Sequence, residues 1–563
     1  MKLYNQFLRL RAQYGESNEI SVTMDELAVT FDCTHRNALS IINKMTQHGW
    51  VRWTPRRGRG SRSRLEFLVK PEEIAAKSMM QAINRRDIRK AMDQIHTYVP
   101  SASLQDRLQG WILSYFGGHS EIRRNRQIDT LRLPVRQKLY TVDPLYMNLL
   151  AESFVSSHVF DGLVRRDGQT QQIVPGLAHA WEVNAERTVW TFYLRKEVLF
   201  HNGKMLKAED IVYTFERLMR TSQRTLYSFM FRQIQSIAAL NPLTVIMELK
   251  EPNELFLPFL CTSRAAIVPK DLDQLGEQQF GLKPVGTGPF RLTEMSESLC
   301  CLEVFSHYFQ GRPHLDRVEI IHVPWESADH SEDSSSPFHV IHNPASTEAG
   351  VWSQIHSDVT VRKFITCNTK KNGPLRNPEV RARIIACLRG DDGLPALSTA
   401  GKAESGTPIS IQIATIPHYR QDANLIAERL EQAGYACSVA TVTVEDFKGD
   451  VRLQSDLILF SLIRDRDEQL RLFDLYLTAA EHVEPHTRID IEKLLRKISN
   501  ERDEQARAEG LAKLEELLIR VNHLHILYER PVQTVYLPSV RGVTFNSQGW
   551  VDLRHVWFPP TSI

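Results

Sequence analysis

The chain has 563 residues, too many for one compact core, so two to four domains are expected. Its composition, 42% hydrophobic and 24% charged, excludes wholesale disorder. The net charge of +2 points to no partner, but residues 1–136 hold 23 Lys/Arg against 13 Asp/Glu and the remainder 46 against 54. A basic head on an acidic body suits only the head to a polyanion.

The N-terminus, MKLYNQFLRLRAQYG, has Arg9 and Arg11 breaking its apolar positions, so no secretory signal is expected. Apolar patches such as Leu255–Leu260 fall well short of the roughly 18 residues that span a bilayer, so no membrane partner is expected. The seven cysteines are odd in number and form no CxxC, which fits a reducing cytoplasm better than a secreted disulfide framework.

Leu3, Phe7, Leu10 and Tyr14 place one apolar stripe on a first helix. Thr23-Met24-Asp25-Glu26 has the form of a capping box opening a short helix through Leu27 and Ala28. After a turn at Phe31-Asp32-Cys33, Thr34 can cap a second helix running to about His48. Its inner face is Ala38, Ile41, Ile42 and Met45, which leaves His35, Arg36, Asn37, Ser40 and Lys44 outside. Two short helices joined by a tight turn, the second with a polar and basic outer face, form the helix-turn-helix pattern. Arg can fork onto guanine and Asn onto adenine in the major groove, which singles out Arg36 and Asn37.

Trp50–Thr54 and Arg64–Val69 read as strands around a turn containing Gly58 and Gly60. The loop and its exit carry Arg56, Arg57, Arg59, Arg62 and Arg64 and no acid. A hairpin in this position is a wing, and its charge suits phosphates or the minor groove of double-stranded DNA. Residues 1–70 are therefore expected to form an α+β winged helix-turn-helix. Residues 71–128 read as a helical extension ended by Gly117-Gly118. That extension could pack on the head or form a dimer face, which leaves a homo-oligomer open.

From residue 129 strands and helices interleave as in a large α/β domain. Asp129–Pro134 and Trp190–Arg195 read as strands, Ser153–Phe160 and Ala208–Leu218 as helices. The stretch VFDGLVRRDGQTQQIVPGLAHAWEVNAERTVWTFYLRKEVLFHNGKMLKAEDIVYTFERL from Val159 resembles the family-5 solute-binding proteins, the peptide- and nickel-binding receptors of ABC transport. Val285-Gly286-Thr287-Gly288-Pro289-Phe290, Tyr308–Pro313, Phe364–Leu388 and Gly542–Leu553 match further segments of that family. With the head included, the chain resembles the SgrR-type regulators, in which a winged helix precedes a solute-binding domain. The resemblance implies a two-lobed periplasmic-binding-protein-like (type II) fold over 129–563, with lobe I at about 129–360 plus 530–563 and lobe II at about 361–529. It also implies a small-molecule ligand in the cleft. Residues 327–351 and 390–408 are polar or Gly/Ser/Pro-rich, which suggests a trimmed second lobe.

Other constellations carry less. Gly286 and Gly288 lack the strand–GxGxxG–helix context of a nucleotide loop and read as a structural turn. His523 and His525 are too few for a metal site, so none is expected. Cys300-Cys301 reads as buried strand. No GxSxG, HExxH or paired-carboxylate pattern is present, so neither enzyme activity nor a cofactor is expected. Tyr140 and Asp143 follow the first body strand and are cleft candidates, although turn-forming roles fit them equally. The expected function is a DNA-binding regulator that switches promoter binding when it senses a small molecule, a sugar-phosphate-stress-type metabolite or a peptide. The alternatives are a solute- or peptide-binding component of an ABC transport system with an accessory N-terminal domain, and a cytoplasmic peptide-binding protein whose head binds protein.

Overall fold

The computed structural model describes residues 2–15, 17–56, 61–70, 74, 116–123, 125–135, 138–168, 170, 172–221, 225–322, 353–389, 408–464, 467–536, 540–544 and 551–559. The head comprises α1 (Lys2–Tyr14), β1 (Glu19–Val22), α2 (Met24–Thr30), α3 (His35–Gln47), β2 (Val51–Thr54) and β3 (Ser63–Phe67). Its three strands form an antiparallel sheet in the order β1-β3-β2. The capping box at α2 is complete: Glu26 N–H donates to the Thr23 hydroxyl at 3.2 Å and Thr23 N–H donates to the Glu26 carboxylate at 2.9 Å. The turn into α3 holds Asp32 at φ +48°, a left-handed conformation that Asp tolerates better than most side chains. The apolar stripes close on one another. Phe7, Leu27, Ala38, Ile42, Met45 and Leu65 are buried, and Tyr4 and Phe7 meet the Trp50 ring at 4.9 and 5.8 Å between centroids. Burial of each large side chain contributes about 1.5–3 kcal/mol, so this small core rests on few residues.

The body begins earlier than the sequence reading places it. Gly117–Arg123 is strand β4, not the end of a helix, and it pairs antiparallel with β5 (Arg126–Val135). The physical reason is a distant one. A Cβ on Gly118 would lie 2.4 Å from the Phe558 ring, so the glycine admits the C-terminal segment rather than stopping a helix. Residues 75–115 of the expected helical extension lie outside the described residues.

Along lobe I follow α4 (Leu150–Val159), β6 (Val164–Arg166), β7 (Ile173–Pro175), β8 (Ala178–Val183), β9 (Val189–Leu194), α5 (Ala208–Arg220), α6 (Ser228–Gln233), β10 (Ile234–Asn241), β11 (Thr244–Leu249), β12 (Phe290–Met295), β13 (Leu299–Val304) and β14 (Arg317–His322). They build a five-stranded sheet, β12-β13-β14-β5-β4, and a four-stranded antiparallel sheet, β10-β11-β9-β8. Lobe II contains β15 (Ser353–Cys367), α7 (Pro378–Arg389), β16 (Ser410–Thr415), α8 (Arg420–Gln432), β17 (Ala436–Thr441), β18 (Leu457–Arg464), α9 (Glu468–Ala480), α10 (Pro485–Ser499), α11 (Glu504–Arg520) and β19 (Leu524–Tyr536). Its sheet runs β17-β16-β18-β15-β19. The lobe boundary shifts from the one read in the sequence. Ser353 pairs with Tyr536 and Thr366 with Leu524 in one two-stranded ladder, so residues 353–360 and 530–536 extend the lobe II sheet. The ladder breaks between His356 and Thr360, opposite Pro531, but the same two strands pair again from His356 to Ser353, so the ribbon belongs with the sheet it leaves.

Gly286 and Gly288 are structural. A Cβ at Gly286 would sit 1.9 Å from the Val159 carbonyl oxygen, and Gly288 N–H donates to that same oxygen at 2.9 Å. The stretches 327–351 and 390–407 lie outside the described residues. Among those described, no helix is long and apolar enough to cross a membrane.

Candidate nucleic-acid interface and ligand cleft

On α3, Ala38, Ile41, Ile42 and Met45 are buried, while Arg36, Asn37, Ser40 and Lys44 are exposed. The Thr34 hydroxyl accepts from Asn37 N–H at 3.4 Å, which fixes where the helix starts. The structure therefore brings Thr34, His35, Arg36, Asn37, Ser40 and Lys44 onto one exposed helix. Several candidate cations are engaged within the head: His35 lies 2.7 Å from Asp25, Arg62 2.5 Å from Glu26 and Arg64 2.5 Å from Glu19. These groups are exposed, and such pairs are worth about 0–1 kcal/mol, so they orient the side chains without withholding them from a phosphate. Arg56 N–H donates to the Ser63 hydroxyl at 3.1 Å, tying the base of the wing. Arg57 and Arg59 lie outside the described residues.

A cavity of about 310 Å³ opens between the lobes. Met147, Leu150, Thr225 and Arg264 line it from lobe I, and Phe447, Arg452, Phe460, Arg471 and His482 from lobe II. A second chamber of about 760 Å³ adjoins it and shares Lys448 and Asp474. Its wall carries both signs of charge, with Arg232, Lys370 and Arg488 facing the same space as Asp446, Asp450 and Glu492. The first chamber, mainly apolar with a few placed polar groups, suits a small organic ligand.

Arg264, Arg452 and Arg471 are buried charges of the first chamber, and Arg264 is held by backbone. It donates to the carbonyls of Pro144 and Leu145 at 2.6 Å and of Met147 at 2.8 Å. Burial pulls its pKa down to about 10. Its Nε, and the hydroxyl of Thr225, are buried without a hydrogen-bond partner among the described residues. Both residues line the cavity, although these two atoms are themselves buried behind its wall. His482 is locked by the Thr366 hydroxyl at 2.7 Å.

Neither Tyr140 nor Asp143 lines these chambers. Tyr140 is 64% exposed under the Lys138 ammonium, 5.5 Å from its ring centroid. Asp143 is fully buried, and its carboxylate accepts from Arg217 at 2.7 and 2.9 Å and from Leu145 N–H at 2.9 Å. It shapes the turn whose carbonyls hold Arg264. The cleft residues come from separate parts of the chain and share no local motif, so sequence reasoning passes over Thr225, Arg264 and Arg471. His523 and His525 are buried, and burial drops both pKa values to about 4. Among the described residues no cluster could hold a metal ion. Cys300 and Cys301 are buried, and burial raises both thiols.

The lobes meet around these chambers. Arg166 of lobe I and Asp467 of lobe II form an ion pair at 2.7 Å with Asp467 only 1% exposed, and Phe229 packs on Phe473 at 4.7 Å. Glu254 N–H donates to the Ser499 carbonyl at 2.8 Å, and Lys448 contacts Asn148 across the cleft. The head is joined to lobe I as well: Leu299 and Ile321 share one hydrophobic cluster with Phe7, Trp50 and Phe116.

A winged helix docked on a two-lobed type II solute-binding fold defines the class. Residues 2–114 match the sugar transport-related sRNA regulator N-terminal family, and residues 172–384 the middle region of bacterial extracellular solute-binding proteins, family 5. The chain is similar to the SgrR-type regulators, in which those two domains are joined. It is 24% identical over 593 residues to the HTH-type transcriptional regulator SgrR of Pectobacterium atrosepticum, with 99% of each chain covered. It is 26% identical to the uncharacterized protein YhjP of Bacillus subtilis, covering 99% of this chain and all of that one. Among solved structures, the periplasmic binding protein DppA of Helicobacter pylori in complex with the peptide STSA aligns with a TM-score of 0.61 at 19% identity, over 76% of this chain and 98% of that one. NikA of Brucella suis in complex with Fe(III)-EDTA aligns at 0.60 and 17% identity, over 76% and 100%. At these identities the structures speak for the fold alone.

Proposed function

We propose that the chain is a cytoplasmic transcription regulator whose head binds promoter DNA and whose cleft senses a small molecule. The observation that carries this reading is the exposed, capped α3, with Arg36, Ser40 and Lys44 turned away from the core beside an arginine-rich wing. Electrostatic contact with phosphates would supply affinity, and α3 would supply recognition. The name SgrR borne by relatives over the full length of the chain supports it. The role is binding rather than catalysis.

The ligand reading rests on the cleft. Arg264, Arg452 and Arg471, which line it, favour a solute rich in acceptors, such as a sugar-phosphate-type metabolite or the carbonyls of a peptide. Closure of the lobes would change how lobe I presents the head, through the cluster at Leu299 and Ile321. A differential affinity of about 1–3 kcal/mol between states is enough for such a switch.

The test is binding of the full chain to a duplex from its own upstream region, before and after co-purifying small molecules are removed by partial unfolding and refolding. A specific complex whose affinity changes on removal and returns on adding back the extract is expected. No complex with the duplex, or one indifferent to the extract, overturns the corresponding half of the proposal.

A further inference from the structure

Helix α3 gives a way to separate side chains that read bases from those that grip the backbone. Each residue turns an α-helix by about 100°, so the buried positions Ala38, Ile41, Ile42 and Met45 define one meridian and its opposite can be read off. The line facing away from the core runs through Arg36, Ser40, Asn43 and Gln47, spaced i, i+4, i+7 and i+11. All four are exposed. Asn37 lies about 100° round from Arg36, on the flank, and its backbone N–H is spent on the Thr34 cap. Leu39 stands beside the outward line and is 42% exposed. Among the described residues, no hydrogen bond or ion pair engages the side chains of Arg36, Ser40 or Asn43, whereas His35, Arg62 and Arg64 are held by Asp25, Glu26 and Glu19.

We infer that Asn43 and Leu39, with Arg36, determine the DNA sequence this protein selects: Arg36 reads a guanine, Asn43 an adenine, and Leu39 a thymine methyl between them. This rests on the DNA-binding reading above. Three observations support it together. The outward meridian is the part of a recognition helix that meets base edges when the helix lies along the major groove, where contacting residues can span about seven positions. Arg, Asn and an apolar group are the side chains whose donors, acceptors or methyl contacts match G, A and T there. Their side chains are not spent inside the protein. The spacing follows from geometry. Seven residues at about 1.5 Å rise separate Arg36 from Asn43 by about 10 Å, close to three base-pair steps of about 3.4 Å. The half-site should therefore carry a G·C and an A·T pair about three steps apart, with a thymine near the middle. His35, Lys44, Arg62 and Arg64 flank this line and contact phosphate.

The experiment is in vitro selection of duplexes from a random pool by the full chain, repeated with Asn43→Ala, Asn43→Asp and Leu39→Ala. Each Asn43 and Leu39 variant is first checked for an unchanged thermal melt. The wild type should enrich a half-site of the stated form. Asn43→Ala should lose the preference at the adenine position alone, with affinity for the wild-type site falling about 5- to 150-fold and affinity for random duplex unchanged. Asn43→Asp should move that preference toward cytosine, because a carboxylate accepts from cytosine N4 and cannot donate to adenine. Leu39→Ala should relax the thymine position. If the Asn43 variants enrich the same half-site as the wild type, the assignment is overturned while the DNA-binding reading stands. If the wild type enriches no sequence and does not bind random duplex, both fall.

Discussion

Replacing Asp467 by Asn should open the two lobes. Asp467 begins α9 in lobe II and its carboxylate lies 2.7 Å from Nε of Arg166 on β6 in lobe I; the side chains are 1% and 13% exposed. Arg166 keeps its charge, and its pKa is raised above the ordinary guanidinium value by Asp467 despite an opposing push from burial. Removing one partner of a buried pair costs about 3–5 kcal/mol because the other charge remains desolvated. Opening the lobes lets water reach Arg166, so the cost falls on the closed form. The lower bound of about 3 kcal/mol shifts the closed-to-open ratio by about 100-fold. A ligand that needs the closed form would then bind more weakly by the fraction of molecules that remain closed. Small-angle scattering on the ligand-free full chain reads the change directly as an increased radius of gyration. A cycle with Arg166→Gln isolates the pair, and the double variant should be less open than the sum of the two single effects. A radius of gyration for Asp467→Asn equal to that of the wild type, with no coupling in the cycle, would refute the reasoning. It would mean that Phe229 on Phe473 and the Glu254–Ser499 hydrogen bond hold closure unaided.

Acid should destabilise the fold through its buried histidines, against a smaller opposing contribution from Asp161 and Asp210, whose carboxyls burial holds above the usual range. Burial holds His158, His523 and His525 at about 4, below the roughly 6.5 of an unfolded histidine, so the folded chain keeps them neutral. The unfolded chain then takes up protons first, and stability is lost as pH falls from about 6.5 to about 4, by up to about 3 kcal/mol for the fully buried His158. Urea unfolding at pH 7.5, 5.5 and 4.5 checks this, and equal stability at the first two values would contradict it. Asp552, held at about 2 by Arg554, loses its contribution only below about pH 4 and does not mask the effect. Ile321→Ala should uncouple the sensor from the head, since Ile321 is 4% exposed in the cluster that joins them. Truncating a buried Ile typically costs about 2–5 kcal/mol, here at the joint. The DNA affinity of the variant should stop responding to the co-purifying extract while remaining within a few-fold of wild type. A full response would exclude this route.

The head is legible in the sequence because its signals are local. The Thr23–Glu26 box and the Thr34 cap mark two helix starts, and four apolar positions on α3 point to the core, as the structure places them. Asn43 lies on the same helical wheel, but a search weighted toward basic residues and the helix start passes over it. Strand β4 is misread because Gly117-Gly118 has the local form of a helix stop. Its requirement for glycine comes from Phe558, at the far end of the chain. The long β15–β19 ribbon is hidden for the same reason, since its register is set by pairing across more than a hundred residues. The cleft is the least legible part. Met147, Thr225, Arg264, Arg452 and Arg471 meet only through tertiary packing, and no spacing announces them. Tyr140 and Asp143 lie close in sequence to Met147, yet one points to solvent and the other is spent on Arg217.

The central claim, that the basic head grips double-stranded DNA, is tested most directly by the salt dependence of binding. The full chain is titrated by fluorescence anisotropy against a labelled upstream duplex at salt concentrations from about 50 to 200 mM. With about 4–6 phosphates neutralised by α3 and the wing, affinity should fall by roughly 100- to 1,000-fold across that range, and the log–log slope should lessen by about one for each of Lys44→Ala and Arg62→Ala. A slope near zero, or one that neither substitution changes, would contradict the account.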